Sequence, residues 1–154
     1  MKGLRFSGSC HCGAMAVTFE TGKSPEALPL RACACSFCRK HGVRTTSDPD
    51  GRIRIELRDA GKVNRYRFAL GTADYLVCRE CGAYVAAVHS DPATGRAWAI
   101  VNVHVLDDRS AFDRKPMTVD YDRETATERM ARRKAAWTPA EVVESSPDGK
   151  GMSG

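Results

Sequence analysis

Long apolar runs are missing from this 154-residue chain. None approaches the roughly 20 residues that a membrane-crossing helix needs. The first residues, Met1-Lys2-Gly3-Leu4-Arg5-Phe6, turn polar at once and carry no apolar stretch of signal-peptide length. A cytoplasmic location is therefore expected. Aromatic residues are scarce, at 7%. The 42% hydrophobic content allows a core, but a modest one that metal crosslinks would help. Strong charge of one sign is also absent: charged residues make up 28%, well mixed, with a formal net charge of +5. That permits attraction to anionic ligands without demanding a nucleic acid.

What the chain does have is cysteine, seven of them in three tight clusters. The clusters are Cys10-His11-Cys12-Gly13, Cys33-Ala34-Cys35-Ser36-Phe37-Cys38 and Cys78-Arg79-Glu80-Cys81-Gly82. An odd count at such short spacings reads poorly as a disulfide framework. Reduced cytoplasmic thiols are free to bind metal. Two, three and two thiols cannot fill two four-thiolate zinc sites, but they suit one closed site of four and one open site of three. Structural zinc is nearly always closed, whereas catalytic zinc keeps one position free.

Turn signals separate short alternating segments, which predicts a mainly β domain. Strands are expected over residues 14–20, 28–35, 63–70, 75–77, 83–89 and 97–106. The clearest is Ile53, Ile55 and Leu57 alternating with Arg52, Arg54, Glu56 and Arg58, after the turn Asp48-Pro49-Asp50-Gly51. The tail differs in composition. Residues 122–137 are rich in Glu, Ala, Arg and Met and predict a C-terminal helix, which Thr138-Pro139 would stop. Residues 145–154 are expected to be disordered. The chain thus divides into a zinc-binding domain over 1–121 and an extension over 122–154.

Cys78 and Cys81 form a knuckle ended by Gly82, which can take the positive φ that turns backbone N–H groups toward sulfur. Cys10 and Cys12, two apart on an extended segment, share a face. Pairing these clusters gives the closed site, whose metal would contribute to folding. One pair being incidental or redox-active is the alternative. Cys33, Cys35 and Cys38 would cap the second zinc and leave its fourth corner open. His41, His89 or His104 could instead close that site as Cys₃His; His11, between two ligands, is expected to point away. Three thiolates on Zn²⁺ carry a net negative charge, and Arg31, Arg39, Lys40 and Arg44 lie near in sequence. For each of these the plainer reading is a solvated face.

The clusters resemble those of the glutathione-dependent formaldehyde-activating family, whose domain is related to that of centromere protein V. The matching residues are Gly8-Ser9-Cys10-His11-Cys12-Gly13, Cys33 to Arg39, and Cys78 to Gly82, with all seven cysteines in order and spacing. The resemblance implies a β-tent fold of packed antiparallel sheets around two zinc ions per chain. It implies that Cys10, Cys12, Cys78 and Cys81 hold the structural zinc, and that Cys33, Cys35 and Cys38 hold the catalytic one. The implied activity is that of a carbon–sulfur lyase, addition of the glutathione thiol to formaldehyde or another small aldehyde and its reversal. The alternative is a zinc-ordered binding module without catalysis, suggested by a pI near 8.9 and the run Arg129-Met130-Ala131-Arg132-Arg133-Lys134. Such a run could contact phosphate or an acidic protein. No membrane partner is expected.

Overall fold

The computed structural model describes residues 3–145. Eleven strands and two short α-helices make the fold mainly β, as expected. The first half of the chain gives β1 (Leu4–Ser9), β2 (Met15–Thr21), β3 (Arg31–Cys33), α1 (Ser36–His41), β4 (Thr45–Thr46) and β5 (Arg52–Leu57). The second half gives β6 (Val63–Tyr66), β7 (Asp74–Cys78), β8 (Tyr84–Ser90), β9 (Ala97–Asn102), β10 (Met117–Val119), α2 (Ala126–Ala136) and β11 (Thr138–Glu144). Among the described residues no helix is long and apolar enough to cross a membrane.

The alternation read in the sequence is realised in β5. Ile53, Ile55 and Leu57 are buried, while Arg52 and Arg54 face solvent. Met15, Val17 and Phe19 of β2 alternate in the same way, and the two strands pair antiparallel. Their inward residues build the main core with Phe6, Leu28, Leu30, Leu76, Val85, Val101 and Phe112. β8 has no polar face. Val85, Ala86 and Val88 pack into this core, while Tyr84 and Ala87 enter a second cluster with Cys38, Val43, Ala73, Trp98 and Trp137. A strand covered on both sides reads as a continuous apolar run, and Tyr84 to His89 does.

β9 organises the topology. One edge pairs with β8. The other edge is shared: Ala97 to Ala99 pair with β11, and Val101 and Asn102 with β4. The main sheet runs β1-β2-β5-β11-β9-β4-β3-β10, and β6 and β7 extend from β8.

Four predicted elements are shorter than expected: the strand expected over 28–35 is confined to Arg31–Cys33, and the other three end or begin for a local reason. β9 stops at Asn102, not residue 106. The Asn102 side chain accepts from His104 N–H (3.1 Å) and donates to Tyr84 C=O (2.9 Å), which turns the chain into a 3₁₀ segment. β6 ends at Tyr66 because the chain reverses at Phe68–Gly71, with Ala69 at φ +53° and Gly71 at φ +65°. α2 begins at Ala126 rather than residue 122, set by a capping box in which Thr125 and Glu128 bond each other's backbone (3.1 and 2.9 Å).

The expected division at residue 121 is not where the sheet ends. β11 lies between β5, to which it runs parallel, and β9, to which it is antiparallel. Pro139 stops the helix but enters the sheet opposite Trp98. Thr138 is fully buried, and its Oγ1 accepts from Asp48 N–H (2.8 Å). The disorder expected for the tail falls almost wholly outside the described residues. A chain truncated after residue 121 would leave facing edges of β5 and β9 unpaired. It is expected to lose the cooperative thermal transition that the full chain shows by circular dichroism.

Gly8 of the first cysteine motif has a packing reason. It bridges Leu106 in antiparallel fashion. A Cβ there would run into the Val105 carbonyl oxygen and lie 2.7 Å from Leu106 Cα, both rigid backbone. Gly8→Ala is expected to destabilise by about 1–3 kcal/mol in urea unfolding.

Candidate metal centres and the cavity between them and the C-terminal helix

The first centre joins two chain corners. Cys10 directly follows β1 and opens a turn in which Gly13, at φ +84°, donates its N–H to Cys10 C=O (3.1 Å). Cys78 ends β7, and Gly82, at φ +81°, donates to Cys78 C=O (2.9 Å). The four sulfurs of Cys10, Cys12, Cys78 and Cys81 lie within 4.8 Å of one another. Cys10 Sγ is 3.8 Å from Cys12 Sγ, and Cys12 Sγ is 3.5 Å from Cys78 Sγ, across 66 residues. Disulfide sulfurs sit at about 2 Å. Tetrahedral zinc with bonds of about 2.3 Å separates its sulfurs by about 3.8 Å. The set therefore fits zinc. Burial pushes the Cys10 thiol up to about 11. At Cys81 burial acts in the same direction, but N–H bonds from Ala83 and Cys12 outweigh it and bring the thiol down to about 6. Backbone donors of this kind are what a thiolate ligand requires.

The second centre sits at the strand–helix corner between β3 and α1. Cys33 ends the strand, Cys35 caps the helix, and Cys38 lies in its first turn. The three sulfurs lie within 4.8 Å of one another, and Cys38 N–H points at Cys35 Sγ (3.4 Å). The Cys35 thiol is held well below its usual value, first by the hydrogen bond from Cys33, then by that from Cys38 and by backbone N–H groups. Cys33 and Cys38 are pushed up, each chiefly by its bond to a neighbouring sulfur. Among the described residues no histidine or carboxylate joins the three. His41 stacks on Phe37 with its Nδ1 at Phe37 C=O (3.0 Å); His89 is fixed to Thr72 C=O (2.9 Å); His104 and His11 are exposed beside another groove. Three sulfurs without a fourth side chain suit a soft metal with one free position.

The trio opens on a cavity of about 250 Å³. Phe68, Leu70, Tyr75, Ile100 and Trp137 form much of its wall. Of the four basic residues near the trio in sequence, Arg31 alone lines it. Arg39 turns back to Ala34 C=O (2.9 Å), Arg44 to Arg114 C=O (3.3 Å), and Lys40 is exposed. Arg31 could have been singled out: it lies two residues before Cys33 on one strand and so shares its face.

Arg129, Arg132 and Arg133 of α2 line the same cavity, which the sequence reading missed. The basic run is not a free phosphate-binding face. Glu124 takes both Arg132 nitrogens (2.7 and 3.0 Å) and lies 3.5 Å from Arg129. Arg133 is 4% exposed, and Lys134 reaches Asp91 (3.3 Å).

This is a mainly β protein with two cysteine clusters able to hold zinc, one four-sulfur and one three-sulfur, the latter facing a cavity. The chain belongs to the glutathione-dependent formaldehyde-activating enzyme family, whose profile matches residues 5–121. A crystal structure of a Rhodobacter sphaeroides protein is similar, with 31% identity over 73% of this chain and 99% of that chain and a TM-score of 0.52. A search of curated proteins gave no match. All seven cysteines fall inside the family match; α2 and β11 fall outside it.

Two zinc ions per reduced chain are expected by elemental analysis. Cys78→Ser should lose one of them together with most thermal stability, because it opens the link between the two corners. Cys35→Ser should lose the other with a much smaller fall in melting temperature.

Proposed function

We propose that the chain is a zinc-dependent enzyme of carbon–sulfur lyase type. It adds the thiol of glutathione to formaldehyde, or to another small aldehyde, and runs the reverse cleavage. The observation that carries this reading is the three-sulfur centre facing a walled cavity, with no fourth ligand among the described residues. Family membership supplies the substrate class.

Cys10, Cys12, Cys78 and Cys81 would hold the structural zinc, and Cys33, Cys35 and Cys38 the catalytic one. When bound by the trio, zinc supplies a positive centre that favours thiolate over thiol and polarises an aldehyde oxygen. The chain's own contribution is enclosure and charge. Phe68, Ile100 and Trp137 make a wall that limits water. Arg31 and the α2 arginines offset the negative charge that thiolates bring into it. Tyr75, also on the wall, is pushed up to about 12 by burial and stays a neutral O–H donor at pH 7. In the forward direction a C–S bond forms, and the thiol proton ends on the former aldehyde oxygen as a hydroxyl. His41, bound to Phe37 C=O outside this cavity, does not reach that exchange, which leaves Tyr75 as the hydroxyl on the wall closest to such a role.

The test is condensation of glutathione with ¹³C-formaldehyde followed by exchange NMR. Zinc-loaded protein should accelerate it, and Cys35→Ser should lose at least about 10–100-fold of the acceleration. Equal rates with and without protein would refute the formaldehyde reaction.

A further inference from the structure

Arg133 is the one arginine of α2 whose charge meets no carboxylate within ion-pair distance among the described residues. The residue is almost fully buried, at 4% exposure. Nη1 donates to Thr72 Oγ1 (2.6 Å), and the plane lies 4.8 Å from the centre of the Trp137 ring. Nε is buried without any partner. Arg31 resembles it: one nitrogen donates to Ser47 Oγ (3.0 Å), and among the described residues no carboxylate lies within ion-pair distance of it either. Both line the cavity onto which the cysteine trio opens.

Removing a guanidinium from water is costly unless an anion meets it. An orphaned buried donor calls for a partner. The neighbouring arginines differ in having a counter-charge: Glu124 accepts from Arg132 and lies at ion-pair distance from Arg129, whose Nε is also buried without a hydrogen-bond partner. Counting the whole wall, four arginines face two carboxylates, Asp122 and Glu124. A single negative charge from a zinc-loaded trio leaves this wall still positive. Room remains for one more anionic group, and the planar fork of arginine suits a carboxylate.

We propose that Arg133, assisted by Arg31, forms a seat for a carboxylate of the thiol substrate, so that the C-terminal helix outside the family match selects the substrate of the trio. The inference rests on reading the cavity as the substrate site. It makes Arg133 a specificity-determining residue, acting on binding rather than on the reacting atoms.

The experiment uses full-length, zinc-loaded chain and isothermal titration with S-methylglutathione, which keeps both carboxylates and blocks the sulfur, and with its diethyl ester. Wild type should bind the acid about tenfold or more tightly than the ester. Arg133→Gln should bind the acid as weakly as the ester, and Arg133→Lys should recover part of the difference. Equal binding of acid and ester by wild type overturns the seat, as does failure to bind either. A folded Arg133→Gln chain that binds the acid like wild type also overturns it. If Arg133→Gln does not fold, the comparison of acid with ester on wild type decides. Glutathione–formaldehyde condensation measured on the same sample separates the two ideas. Condensation without acid preference refutes the seat alone, and acid preference without condensation refutes the enzyme reading alone.

Discussion

Three sulfurs converging beside a half-buried cavity are the constraint around which much of this molecule is arranged, because holding a metal there would place negative charge on them. Cys38 is buried in a cluster with Tyr84, Trp98 and Trp137, and Cys33 and Cys35 lie against it. Charge held in such surroundings is expensive unless it is met at close range. Backbone N–H groups of α1 meet part of it at Cys35. The rest has to come from cations that reach the cavity without being hydrated there. Arg31 arrives on the strand that carries Cys33. The others arrive from a helix nearly a hundred residues later in the chain.

That helix needs an anchor, and β11 provides it. The α2 ladder ends with Trp137 N–H bonded to Arg133 C=O (2.8 Å), and the chain passes at once into a strand held on both edges. Thr138 is tied to Asp48, which itself accepts from Thr21 and Lys23 near the start of the sheet. Arg133 thus sits little more than one turn before a strand paired on both edges. A guanidinium on a free tail would choose water; one beside a buried strand has no such choice. Fold and site are linked here by sequence order, since helix and strand are separated by a single residue.

The parts of this design that depend on short spacing were legible in the sequence. Cys-x-x-Cys-Gly, Cys-x-Cys-Gly and Cys-x-Cys-x-x-Cys require only local geometry to bring sulfurs together, and the structure assembles both sets. Alternation in β5 was equally plain, because one face is core and the other solvent. The Arg129–Lys134 run was not. Its composition matches a solvated or phosphate-binding face, and only a long-range contact shows that Arg133 is buried. β11 was missed because Pro139 reads as a stop and Thr138-Pro139-Ala140-Glu141 lacks clean alternation. It is half-buried on both sides, packed by neighbours that lie some forty and almost ninety residues earlier. The early end of β9 was hidden as well, since it depends on Asn102 reaching Tyr84 in the adjacent strand.

The difference between the two centres follows from where each draws its ligands. The closed set comes from two corners, each giving two sulfurs from a turn ended by a left-handed glycine, so four donors converge and nothing further fits. The trio comes from a single corner, where β3 passes into α1 and three sulfurs are all that six residues can aim at one point. A fourth donor would have to come from the cavity wall opposite, and there the chain places Ile100, Trp137, Tyr75, arginines and the carboxylates Asp122 and Glu124. Among the described residues neither carboxylate joins the three sulfurs, and Glu124 is held by Arg129 and Arg132; arginine keeps its proton and repels a cation. Its four histidines are held elsewhere by stacking, backbone bonds or exposure. A wall of that composition keeps the trio's fourth side available to a small molecule, and its positive excess favours one that carries negative charge.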